Sequence, residues 1–143
     1  MSGTPLQEVY TIFISKVDED LTGKESLIFN YLQSAKSKAY KYTSHSLDFI
    51  LSDPISPATI SYDGYFNNIL NQDEIELIAL YMLYEHLSRQ EKYWVSLREL
   101  ISTKDFNSMP DKKRILDGIQ NSKKILKEEI DDFKQQFFDY KYN

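Results

Sequence analysis

The chain has 143 residues, a formal charge of −5, 41% hydrophobic residues and no cysteine. That length suits one domain with a core of its own, and without cysteine neither disulfides nor thiolate metal sites are available. The negative balance disfavours general nucleic-acid binding, whose affinity rests on neutralising phosphates.

The N-terminus, Met1-Ser2-Gly3-Thr4-Pro5, lacks the basic and apolar regions of a signal peptide, so a soluble cytoplasmic product is expected, with no membrane partner. Thr4-Pro5-Leu6-Gln7 reads as a helix start: Thr4 as cap, Pro5 at the first helical position, Gln7 closing a capping box. Leu6, Val9, Tyr10, Phe13 and Val17 then follow at helical spacing. The acidic run Asp18-Glu19-Asp20 is unfavourable at a helix C-terminus and places the end near Val17. Thr22-Gly23-Lys24-Glu25 reads as a second capping box. The helix it opens carries the stripe Ile28, Tyr31 or Leu32, Ala35, Ala39 and Tyr42. Lys36, Lys38 and Lys41 crowd its last turns, as dipole compensation on a solvated face or as a patch for phosphates or an acidic partner.

Residues 43–68 differ in kind. Asp53-Pro54, Ser56-Pro57 and Asp63-Gly64 are breakers, and Leu47–Leu51 and Ala58–Tyr62 are short β-favouring pieces between them. A connection of this length is often functional. It is expected to be a small hairpin arm or an irregular loop that touches something outside the domain.

The central stretch runs from Asn71 to about Leu87. Asn71 and Glu74 form a third capping box, and Leu77–Tyr84 is apolar or aromatic at every position. A helix apolar all round is surrounded, either by its own neighbours or in part by another subunit. Leu80 and Leu83 are expected to be fully buried. Ser88–Lys92 is a polar interruption, after which Tyr93, Trp94, Leu97, Leu100 and Ile101 resume the pattern as a continuation, a bend or a separate helix. Ser108 or Asn107 then caps a last helix with Pro110 in its first turn. Its seam is read as Ile115, Ile119, Ser122, Leu126, Ile130, Phe133 and Phe137, and it is expected to run from about Met109 to Phe138. Gly118, inside it, costs about 1 kcal/mol relative to Ala.

Enzymatic signatures are nearly absent. The four glycines, at positions 3, 23, 64 and 118, form no phosphate loop. His45 and His86 are far apart in sequence, and His86 reads as a hydrogen-bonded structural residue. Glu128 and Asp132 lie one turn apart without a third ligand. No catalytic residue, metal site or cofactor is assigned. The tail Phe137–Asn143 is another matter, because it places four aromatics on a chain end that would ordinarily fray.

Three motifs in order carry a resemblance. Asn-Gln-Asp-Glu-Ile-Glu-Leu-Ile-Ala at 71–79, Ser-Thr-Lys-Asp-Phe at 102–106 and Asp-Tyr-Lys-Tyr at 139–142 resemble the small head–tail connector (adaptor) proteins of tailed bacteriophages of low-GC Gram-positive hosts. Those chains often read L-T-D-E-E-I-x-I-L-A, then S-x-K-D-F, then D-Y-x-Y. Asn71 stands where the family usually has Thr, which preserves a cap. The resemblance covers the second half of the chain and, by helix order alone, the first half. It implies a structural virion protein that forms a ring, commonly of twelve copies, below the portal protein, with a stopper or tail-completion protein beneath it. DNA passes through such a ring without specific binding. The tail residues Phe138, Asp139, Tyr140, Lys141 and Tyr142 would dock on the portal. If extended, Phe138, Tyr140 and Tyr142 would point one way as anchors on a sheet edge. The expected fold is all-α, an antiparallel bundle in a single domain with a long C-terminal helix. The competing readings are another neck or tail-completion component, usually richer in strand, and a soluble helical regulator or inhibitor of a host protein.

Overall fold

The computed structural model describes residues 3–52, 62–101, 105–106 and 108–142, with the side chains of 137–142 left out. Four helices dominate: α1 (Leu6–Ser15), α2 (Glu25–Ala39), α3 (Gln72–Leu100) and α4 (Pro110–Tyr142). Between α2 and α3, β1 (Phe49–Leu51) pairs antiparallel with β2 (Gly64–Phe66), Phe49 opposite Phe66. The architecture is the expected helical bundle with a small hairpin.

α3 is the axis. The Asn71–Glu74 capping box forms as read, with the Asn71 side chain accepting from the Glu74 amide and the Glu74 carboxylate accepting from the Asn71 amide. Leu77 through Met82 are buried without interruption, because α1, α2 and α4 surround this half of the helix. Leu80 is buried as expected, whereas Leu83 is only half-buried, packed against the edge of the core. The polar run Ser88–Lys92 does not break the helix, which continues for 29 residues, about 44 Å at 1.5 Å per residue.

The first two capping boxes do not form. Pro5 itself takes the N-cap position of α1, and the Thr4 hydroxyl accepts a hydrogen bond from the Leu70 amide at 2.8 Å. Thr4 also exchanges backbone hydrogen bonds with Phe66 and Asn68, so the chain enters α1 as a third extended segment beside β2. At α2 the N-cap is Lys24, and Thr22 turns back to Asp20. Gly23 has a φ of +81°, a conformation that glycine adopts without strain. The stripes themselves stand: Leu6, Val9, Tyr10 and Phe13 of α1 and Ile28, Tyr31, Leu32, Ala35 and Ala39 of α2 are buried.

The described base of the hairpin lies on the bundle. Leu47 and Phe66 enter the core, and Phe29 and Phe49 meet edge to face. The second strand is Gly64–Phe66; the β-favouring piece Ala58–Tyr62 lies, apart from Tyr62, outside the described residues together with the two Pro turns. Gly64, read as a turn former, sits in the ladder because a Cβ there would lie 2.2 Å from the Ile50 carbonyl oxygen.

Candidate functional site: the stalk and its open face

α1, α2 and the hairpin cover only the first half of α3. Beyond about Gln90, whose side chain still reaches Glu19, α3 continues antiparallel to α4 as a stalk. The direction of the pair follows from two ties: Lys123 bridges Glu91 at 3.1 Å, and Lys134, a bundle-end residue of α4, interacts with Tyr81.

The contact seam has alternating spacings of three and four residues on both helices. On α3 it comprises Tyr84, Leu87, Glu91, Trp94 and Arg98, continued by the C-cap Ile101, all half-buried. On α4 it comprises Leu116, Ile119, Lys123, Leu126, Ile130 and Phe133. The seam read from sequence is one residue out at its start: Leu116 is buried where Ile115 was expected, and Lys123 takes the place of Ser122. A lysine fits because its ammonium lies over the ring of Tyr84, 5.1 Å from the centroid, and its charge meets Glu91. Phe106 and Leu116 are buried apart from the main core, toward the stalk's far end.

A second set of positions repeats at the same spacing about a quarter-turn from this seam. On α3 it is Tyr93, Leu97 and Leu100, continuing the face that α1 covers lower down; on α4 it is Ile115, Gly118, Ser122 and Ile125. In an antiparallel pair, positions displaced in the same rotational sense from the seam lie on the same side of the pair. Both sets therefore form one open face. Tyr93 is 64% exposed, Leu100 85%, Ile115 45% and Ile125 55%. Nothing lies within 4 Å of where a Cβ on Gly118 would be. So much uncovered apolar surface is characteristic of an interaction site.

The richest polar chemistry lies at the base of the stalk. His86 is 4% exposed, packed edge-on against Phe13, with Nδ1 3.1 Å from the Tyr31 hydroxyl. The Arg89 guanidinium acts on the same Tyr31 hydroxyl and partly offsets the rise that burial gives its pKa. Nε2 lies 3.4 Å from the Glu19 carboxylate without hydrogen-bond geometry, and it is the one buried side-chain nitrogen or oxygen among the described residues with no hydrogen-bond partner. Burial lowers the His86 pKa, Glu19 opposing that shift. Burial likewise raises that of Tyr31. A carboxylate, an imidazole and a phenol in line can pass a proton; Glu19 is exposed, while His86 and Tyr31 are packed against the core.

The other sequence candidates resolve as follows. His45 donates through its backbone amide (3.1 Å) and Nδ1 (2.7 Å) to Glu74, whose carboxylate is fully buried. This use of Glu74 to anchor the 43–48 segment went unread, because a capping box already accounts for a glutamate there. Lys36 pairs with Asp48 and lies over Phe49, and Lys38 pairs with Glu85, so two of the three lysines in that patch serve the fold. Glu128 is exposed, and no group of three acidic or histidine residues able to hold a metal ion occurs among the described residues. The backbone of Phe138, Asp139, Tyr140, Lys141 and Tyr142 is the last stretch of α4, four residues beyond the expected end at Phe138. The alternation of an extended strand therefore does not apply to it. No protein-family model, curated protein or solved structure matches this chain.

Proposed function

We propose that this protein is a structural assembly subunit, and that its place is the adaptor ring of a tailed-phage neck, between the portal and a stopper or tail-completion protein. The observation that carries the assembly role is the open apolar face of the stalk. The motif order 71–79, 102–106 and 139–142 supports the phage neck as the setting. Side-by-side subunits around a channel would cover the stalk, and the net charge of −5 suits a channel through which DNA slides without being gripped. The end of α4, Phe138 to Tyr142, is the portal-docking element and docks as a helix end rather than an added strand. The protein resides in the virion neck, and in the host cytoplasm before assembly.

Mass measurement of the purified chain, alone and mixed with its candidate portal, tests this. A ring that forms on the portal supports the reading. A monomer or dimer indifferent to portals and captured by a host protein would instead establish a helical regulator. Deleting residues 138–143 is expected to abolish portal binding with thermal stability nearly unchanged. Unchanged portal affinity, or a substantially earlier melt, would reject the docking role.

A further inference from the structure

The α4 half of the open face is complementary to itself. Its outward positions include Ile115 and the row Asp111, Arg114, Gly118, Asn121 or Ser122, Ile125, Glu129 and Asp132, three or four residues apart. If two copies of α4 cross antiparallel with the two-fold axis between Asn121 and Ser122, every position has a defined counterpart. Gly118 meets Ile125 of the other copy, and Ile125 meets the other Gly118. Asn121 meets Ser122, two exposed polar side chains able to hydrogen-bond. Arg114 comes level with Glu129 at both ends, giving two opposite-charge pairs. Asp111 comes level with Asp132, the one like-charge match, with Arg114 a turn inward to offset it.

Each partner in this register is unused inside the chain. Ile125 is 55% exposed, and a Cβ at Gly118 would meet nothing within 4 Å. Arg114 and Glu129 are exposed and make no ion pair among the described residues. They are fifteen residues apart on one helix, about 22 Å, and cannot reach each other within a copy. Glycine is the poorest ordinary residue for a helix interior, and nothing in the single chain requires it at 118. A second backbone approaching at that point does.

We infer that two copies of this chain pair antiparallel through α4, the Ile125 side chain of each seated on Gly118 of the other and Arg114 facing Glu129. The inference rests on the stalk being an assembly surface, not on the phage neck. Such an isologous contact closes at two copies, so it describes the free protein and is distinct from the head-to-tail contact that builds a ring.

The chain has no cysteine, so single substitutions report position without background. Mixing the Gly118→Cys and Ile125→Cys chains under mild oxidation should give the mixed disulfide dimer in large excess over either homodimer. Sedimentation should show wild-type dimers, with affinity lowered about tenfold by Arg114→Glu or by Glu129→Arg and restored when both changes share one chain. Circular dichroism of each variant verifies that the helices persist. Homodimeric disulfides at 118 and at 125 would mean parallel pairing and overturn the inference, as would a wild-type chain that stays monomeric at its solubility limit. A ring formed on a portal by a chain monomeric in solution would overturn this pairing while leaving the assembly role intact.

Discussion

Glu74 shows how much one side chain carries. Its carboxylate is fully buried, and it satisfies the amide of the N-cap Asn71, the His45 amide and the His45 ring at once. Glu74→Ala removes the acceptor and strands those donors, so a loss of about 3 kcal/mol is expected in urea unfolding, the sum of a cap and charged hydrogen bonds. His86 gives a pH dependence. Its folded pKa is below the usual 6.5, so the unfolded chain takes up the proton first. The stability it contributes is complete above the unfolded value, declines as pH falls below it, and is gone once the folded value is passed. Thermal melts between about pH 7.5 and pH 5.5 should show this decline in the wild type and lack it in His86→Gln. A slope unchanged in the variant would place its origin elsewhere.

Among the elements, α3 separates two kinds of burial on one helix. Leu80→Ala should cost about 2–5 kcal/mol, and the same change at half-buried Leu83 distinctly less, because the transfer and cavity terms both scale with the packing lost. Gly118→Ala should stabilise the single chain by about 1 kcal/mol, since no neighbour obstructs the added methyl. Paired urea curves at low protein concentration would check both. What could be read ahead of the structure divides along physical lines. The stripes of α1 and α2 and the girth of α3 were legible, since apolar periodicity responds directly to burial. Two of three capping boxes were not, because Thr4 and Thr22 have hydroxyls that serve a distant amide or a local turn equally well. The α4 seam was misread where Lys123 and Glu91 bury charge as a pair, which a search for apolar residues passes over.

For the whole molecule, the extent of each neighbour was the illegible quantity. Tyr93, Leu97 and Leu100 repeat as a core stripe should, and only the end of α1 leaves them uncovered. Periodicity tells which face is apolar but not what reaches it. That gap hid the stalk, and with it the surface on which the proposed assembly depends. The Phe138–Tyr142 segment was legible as an aromatic terminus but not as helix, because three rings at alternate positions of five residues suit an edge strand equally well.

The unbroken course of α3 has a mechanical corollary. The helix holds neither glycine nor proline along its 29 residues, and the same rod that fills the centre of the bundle forms one rail of the stalk. There is no joint at which the two could bend separately. A sideways load on the far tip is therefore delivered as torque to the packing around Leu77–Met82, and the protein should act as a stiff lever whose fulcrum is its own core.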